Sequence, residues 1–295
     1  MIREFSPKLS QDVEVGVGDD CAVVRSINND IVLCADMLVE HVHFETSYFD
    51  PFDIGYKAVA VNLSDIAAMG ARAIYLLCTL SGPKDYPLDE ILQGIQDTSK
   101  LYNVTLVGGD ISRSTEITVS ISVVGTRDTS VSLLRSAASA GDQIVLTGPT
   151  GRSAAGLRSL SQNNVRPSHP TPFELAHLRP LPLLDAGRAA LSYGARAGID
   201  ISDSLALDLH RAADASNVGF ELSDVPLIEG VTKEQALYGG EDYELLLFIK
   251  DGVSLAKHLD KVLHRTSAQV IGVVTNNQEI RTLGGEQLPK KGYLH

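Results

Sequence analysis

An α+β protein of two α/β-layered domains is the fold class this sequence predicts, on three observations. Apolar runs of strand length alternate with longer segments of helical spacing along the chain. The 295 residues, 44% of them hydrophobic, suit one large domain or two of about 150 residues each. Near the middle, the small-residue stretch RSAASAGD at 135–142 breaks the pattern and marks a crossover. The domains are therefore expected at 1–138 and 139–295.

The elements follow in order. Asp30 to Ala35 is a short apolar strand, and Asp53 to Met69 carries helical spacing through Ile54, Ala58, Val61 and Ile66. Ala73 to Leu80 reads as a buried strand and Leu88 to Tyr102 as a helix. Val104 to Val107 is a strand running into Gly108-Gly109-Asp110, and Glu116 to Arg127 alternates as another. In the second half, the strand Gln143 to Thr147 turns at Gly148-Pro149-Thr150-Gly151 into a helix near Ser153. Asn163 to Pro182 holds five prolines and predicts a loop with at most a short helix. Helices at Leu183 to Tyr193 and Asp203 to Asn217 precede the strand Tyr243 to Ile249, the helix Val253 to Leu263 and the strand Val270 to Thr275.

Charge and composition narrow the function. Against 37 Asp+Glu stand 25 Lys+Arg, a formal net charge of −12 that argues against nucleic acid or anionic membrane as partner. With 5% aromatics and no Trp, base-stacking platforms are poorly supplied. No apolar run approaches the roughly 20 residues that span a bilayer. The N-terminal MIREFSPKLSQD carries no apolar signal region, so the expected location is cytoplasmic. Cys21, Cys34 and Cys78 are odd in number and widely spaced, which indicates neither a disulfide framework nor a zinc site.

The aspartates carry the chemistry. Gly18-Asp19-Asp20 follows a glycine-flanked turn, Asp36 and Asp110 are expected at strand ends, Asp65 interrupts an apolar helix, and Asp200 and Asp203 precede a helix. Aspartate is unfavourable in strands and mediocre in helices, so its recurrence on apolar segments points to a shared site. Taken singly, Asp203 could be only a helix cap and Asp19 only a turn residue. Clustered carboxylates require cations, and an all-oxygen donor set suits Mg2+, the metal of phosphoryl transfer. Two familiar nucleotide motifs fail: Gly148-Pro-Thr-Gly-Arg-Ser has Arg152 where a P-loop needs Lys, and Gly16-Val-Gly-Asp-Asp-Cys lacks a third glycine.

A run of segments carries a resemblance. VGVGDDCAVV, ADMLVEHVHF, DIGYKAVAVNLSDIAAMGA, LVGGDISRS, LLRSAASAGD, TGPTGRSAAGL, HLRPLP, GIDISDSLALDL, YGGEDYELLLF and KKGYLH occur in that order, nearly end to end. Together they resemble the thiamine-monophosphate kinase family, within the ATP-binding superfamily that includes aminoimidazole ribonucleotide synthetase and selenophosphate synthetase. The resemblance implies transfer of the γ-phosphoryl of ATP to thiamine monophosphate, and a homodimer paired through the N-terminal domains. It also implies an ATP cleft between the domains. By motif position, Asp20, Asp36, Asp65, Asp110, Asp200 and Asp203 are implied as ligands of several Mg2+ ions. Gly109, Asp110, Arg135 and Ser202 are implied as ATP contacts, and His43, Glu241 and Tyr293 as contacts to thiamine monophosphate. Arg135 offers a planar donor fork for phosphate, and His43 can donate to a phosphate oxygen. Tyr293 could stack on a heterocycle and Glu241 could face the cationic thiazolium. Without the resemblance, His41 and His43 read as a polar strand face, a reading kept for His41, and Tyr293 and Glu241 as a hairpin surface and a loop carboxylate. No general base or covalent carrier is required, because the acceptor phosphate is already an anionic nucleophile.

The chain departs from the family pattern at four places. Cys34 and Ala35 stand where hydroxyl residues are usual, Ser204 where glycine is, Leu183 where arginine is, and His41 where a small residue is. Two other readings use the same aspartates: an ATP-dependent amidine-forming ligase of the aminoimidazole ribonucleotide synthetase type, and a non-catalytic nucleotide-binding relative. The GGEDYEL segment argues against the first, and retention of all six aspartates against the second.

Overall fold

The computed structural model describes residues 13–15, 19–25 and 30–293. The N-terminal MIREFSPKLSQD, the glycines of the turn before Asp19 and the final Leu294-His295 lie outside them.

The first half builds a mixed sheet. Strands β1 (Val13–Val15), β2 (Ala22–Val24) and β3 (Ile31–Val39) are antiparallel neighbours. Helix α1 (Pro51–Ala68) leads to β4 (Arg72–Gly82), and α2 (Leu88–Leu101) to β5 (Thr105–Arg113) and β6 (Thr118–Thr126). The strand order is β1-β2-β3-β6-β4-β5, with only β4 and β5 parallel, as their crossover through α2 requires. Asp36 lies within β3 and Asp110 within β5, so the expected strand ends are corrected at both: β3 runs on to Val39 and β5 to Arg113. Antiparallel pairing with β6 carries β3 through Asp36, and parallel pairing with β4 carries β5 through Gly108-Gly109.

Helix α1 covers the inner face of this sheet. Proline at its first turn pre-sets the helical φ. From Asp53 to Ala68 every residue is buried except Asp65, because α1 touches the sheet, α2 and the second domain. Its contact with α2 is close enough to exclude a methyl group on either side. A Cβ on Gly55 would meet the Ile91 carbonyl at 2.1 Å, and one on Gly94 the Phe52 carbonyl at 2.3 Å. Among the described residues no helix covers the outer face, and Leu33, Met37, Tyr75 and Leu77 are exposed there.

The second half builds a sheet covered on both faces. After β7 (Gln143–Leu146) come α3 (Arg152–Asn163), α4 (Pro172–Leu178) and α5 (Leu184–Tyr193). Then follow β8 (Ala197–Asp200), α6 (Leu205–Ser216), β9 (Gly219–Leu222), α7 (Lys233–Tyr238), β10 (Leu245–Ile249), α8 (Gly252–Leu263) and β11 (Gln269–Thr275). Two short strands, β12 (Arg281–Leu283) and β13 (Glu286–Gln287), close the edge, giving the order β13-β12-β9-β11-β7-β10-β8. Alternation divides the core: Ile144, Leu146, Leu246 and Phe248 pack with α6 and α7, and Val145, Leu245 and Leu247 with α5 and α8. Leu183, one of the departures, is buried in the latter layer beside Ala186 and Ala190. The proline-rich passage holds the single short helix α4, opened by a reciprocal cap between Thr171 and Glu174.

Among the described residues no helix is long and apolar enough to cross a membrane.

Candidate functional site

Helix α1 carries the centre of the site. Its Asp65 meets Asp20, which follows β1, and Asp200, which ends β8, and one carboxylate oxygen from each lies within 4.8 Å of the others. The three come from both domains. Burial raises the Asp65 carboxyl well above the usual range, and Cys34, Asp36, Asp200 and Asp20 add to it. Burial and then Asp20 do the same for Asp200, although Ser64 Oγ donates to it at 2.6 Å. Asp36 is fixed beside them from β3: its amide donates to Asn62 Oδ1 at 2.8 Å, and Asn62 Nδ2 donates to the Ala58 carbonyl. The donor set is all carboxylate oxygen, enclosed and mutually repelling, which fits a hard divalent cation.

Arg135 closes the group from the interdomain crossover. Its Nε donates to Asp20 Oδ2 at 3.0 Å and its Nη2 to Oδ1 at 2.5 Å, while its backbone amide donates to Asp19. Burial, then the neighbouring Asp20, pushes the Asp19 carboxyl up to about 6.

Two of the six sequence-nominated aspartates are held differently. Asp203 forms an ion pair with Arg211 at 2.5 Å, and Arg211 also holds Asp208 at 2.6 Å. The cap of α6 is Ser204, whose hydroxyl accepts from the Leu207 amide and donates to the Lys291 carbonyl. Asp203 is therefore not the helix cap, and the serine in the glycine position ties the C-terminal segment to the site. Asp110 and Gly109 lie on β5, exposed and level with Thr79 and Cys78 of β4. Asp110 is not one of the three residues whose oxygens converge.

Of the three residues nominated for substrate, Glu241 and Tyr293 flank the turn at 202–203. The backbone amide of Glu241 donates to the Ser202 carbonyl at 2.7 Å, and that of Tyr293 donates to the Asp203 carbonyl at 3.1 Å. Tyr293 remains 48% exposed. His41 and His43 lie in a turn beyond β3, so the strand-face reading kept for His41 is corrected: the chain leaves the sheet at Val39, and His41 takes φ +68°. His43 Nδ1 accepts from the Val39 amide at 3.1 Å, which leaves the proton of a neutral ring on Nε2.

Sequence reasoning missed the residues that bind these together. Lys57 of α1 is 0% exposed; its Nζ lies 2.7 Å from Glu241 Oε1 and donates to the His43 carbonyl at 3.2 Å. His177 of α4 places Nδ1 3.2 Å from Glu241 Oε2 and 3.1 Å from Ser153 Oγ. The available signal was a lysine inside the apolar run GYKAVAVNL, where a charge needs a partner.

Two sheets joined by one buried helix, with carboxylates from both at the junction, match known proteins over the whole chain. Residues 18–127 match the family model "AIR synthase related protein, N-terminal domain", and residues 139–284 match the corresponding C-terminal domain. The thiamine-monophosphate kinase of Bacillus subtilis strain 168 is 38% identical over 318 residues, covering 100% of this chain and 98% of that protein. The chain belongs to the thiamine-monophosphate kinase family. The Escherichia coli K12 kinase is 36% identical over 256 residues, with 81% and 78% of the two chains covered. Among solved structures, AaThiL complexed with AMPPCP and TMP superposes with a TM-score of 0.82 at 30% identity, covering 96% of this chain and 91% of that one. The thiamine-monophosphate kinase of Stenotrophomonas maltophilia K279a gives 0.81 at 30% identity, covering 95% and 93%. Membership in the family accounts for the two-domain mixed architecture and for the order of the motifs along the chain.

Proposed function

We infer that this chain catalyses the ATP-dependent phosphorylation of thiamine monophosphate to thiamine diphosphate. The observation that carries the reading is the convergence of Asp20, Asp65 and Asp200 from two domains beside Arg135. The oxygen donor set fits magnesium, held by Asp20, Asp36, Asp65 and Asp200 and joined by Asp110 and Asp203. When bound, magnesium supplies charge cancellation on the polyphosphate. For Asp203 this requires exchange of the Arg211 partner seen here.

The chain's own residues do the remaining work. Arg135, Ser202, Gly109 and Asp110 hold the nucleotide, and His43, through Nε2–H, orients the acceptor phosphate. Glu241 and Tyr293 hold the rings. An oxygen of the acceptor phosphate attacks the γ-phosphorus while the bond to the β-bridging oxygen breaks, so ADP departs with its own electrons. No side chain need take a proton, and positioning carries the rate.

The exposed outer sheet face around Met37 and Leu77 supports a homodimer paired through the N-terminal domains, because an uncovered apolar sheet face of this kind favours a partner. The occupant is a second copy of this chain. On the same reading the domains divide at 138/139 and the reaction runs in the cytoplasm. The purified protein with ATP, Mg2+ and thiamine monophosphate should yield thiamine diphosphate and ADP in equal amounts. ADP formation independent of thiamine monophosphate would refute the assignment.

A further inference from the structure

Glu241 does not meet its ligand as a bare carboxylate. The loop before β10 holds it at φ +63°, a left-handed conformation uncommon for glutamate, and both of its oxygens are already engaged. Oε1 takes the buried ammonium of Lys57 and Oε2 faces His177 Nδ1. A carboxylate can only accept, and the Ser153 hydroxyl 3.1 Å from the same Nδ1 can accept as well, so the tautomer that serves both neighbours carries its proton on Nδ1 and leaves Nε2 bare. Nε2 is buried and has no hydrogen-bond partner among the described residues, and the imidazole packs edge-on against Phe49. Burial holds His177 below its usual range, with Lys57 adding to the effect, which keeps the ring neutral. Burial would raise the Glu241 carboxyl, but Lys57 and then His177 overrule it and hold it well below the usual carboxylate range.

Charge decides what such a group can recognise. An ammonium 2.7 Å away cancels the Glu241 charge, and a second cation approaching the same carboxylate is repelled by Lys57. A neutral N–H donor meets no such repulsion. Two of the roughly four lone-pair directions of the carboxylate are taken, and the side chain is still 25% exposed, so acceptor capacity remains on the open side. Thiamine offers both kinds of group: a cationic thiazolium and a neutral aminopyrimidine.

We propose that Lys57 and His177 are positioning residues that make Glu241 a charge-compensated acceptor, so that the site selects the amino group of the pyrimidine rather than the charge of the thiazolium. This rests on the assignment of thiamine monophosphate as substrate. It replaces the sequence expectation that Glu241 faces the cation.

The test measures kcat and KM for three acceptors: thiamine monophosphate, its oxo analogue with a carbonyl in place of the amino group, and an analogue with an uncharged ring in place of the thiazolium. The oxo analogue should raise KM about tenfold or more, and the uncharged one no more than about threefold. The reverse order overturns the proposal. His177→Leu should raise KM for thiamine monophosphate about tenfold and leave KM for ATP within about twofold, and His177→Asn, which keeps a donor near Nδ1, should recover most of the loss. Equal damage to both KM values, or no recovery with asparagine, identifies a merely structural residue. Lys57→Met alone strands a buried carboxylate, so the informative variant is Lys57→Met with Glu241→Gln, which removes both charges. It should lose the discrimination between amino and oxo acceptors, and retained discrimination overturns the proposal. If wild type fails to phosphorylate thiamine monophosphate at all, the functional assignment falls and this proposal with it. Normal turnover with the wrong analogue preference defeats this proposal alone.

Discussion

Arg135 grips Asp20 with two donors, Nε to Oδ2 at 3.0 Å and Nη2 to Oδ1 at 2.5 Å. The residue proposed to hold ATP phosphate thus occupies a carboxylate proposed to hold metal, so the proposed function requires these partners to exchange when the site is loaded. In Arg135→Ala, affinity for an ATP analogue should fall about tenfold or more, the loss expected for charge-assisted hydrogen bonds. Magnesium affinity without nucleotide should rise, since Asp20 is released. Calorimetric titrations of each ligand check this, and a fall in both affinities contradicts the exchange.

Removing the metal should make stability depend on pH in a defined direction. Asp65 and Asp200 are raised by burial and by their neighbours, and Asp19 to about 6 by burial and then Asp20. A carboxyl whose folded pKa exceeds its unfolded value contributes stability that is fully present below the unfolded value, about 4, and is lost as pH rises through the folded one. In chelator, the melting temperature should therefore fall as pH rises from about 4 through about 6 and beyond, and excess magnesium should restore it on the alkaline side. Asp65→Asn should flatten the chelator profile while reducing turnover by at least about a hundredfold. A chelator profile that rises with pH contradicts the crowding of these carboxyls.

The α1–α2 contact should not tolerate a methyl group. A Cβ at Gly94 overlaps the Phe52 carbonyl, and that backbone atom cannot rotate aside. Gly94→Ala gains helix propensity of about 1 kcal/mol but should be destabilising by about 1–3 kcal/mol net. Urea denaturation gives the value.

A charge on the outer sheet face should separate the proposed dimer. Met37 is 52% exposed and Leu77 43%, on neighbouring parts of one face. Leu77→Glu should halve the mass measured by light scattering without lowering the melting temperature of the monomer core. An unchanged mass places the interface elsewhere.

The long elements could be read from the sequence because their periodicity is local. Helix α1 and strands β4 and β6 fall within a few residues of expectation. The strands β8, β9 and β12 could not, since each has four residues or fewer and pairs with a segment distant in sequence, and β13 has only two residues. Within the site, Asp20, Asp65 and Asp200 were legible as carboxylates on apolar segments. Lys57 and His177 were not, because a buried charge acquires its meaning from partners far along the chain: Glu241 is 184 positions from Lys57. Asp203 and Arg211 illustrate the same limit, since no spacing rule foretells that a nominated metal ligand pairs with an arginine on the following helix.

Transfer between two phosphates at the Asp20–Asp65–Asp200 site can be followed by a single turnover with γ-labelled ATP, Mg2+ and thiamine monophosphate, quenched and separated. The label should pass in one phase from ATP to the terminal phosphate of thiamine diphosphate, none remaining on protein, and Asp65→Asn should abolish that phase. Label released as inorganic phosphate, or retained on the protein, would contradict direct transfer at this site.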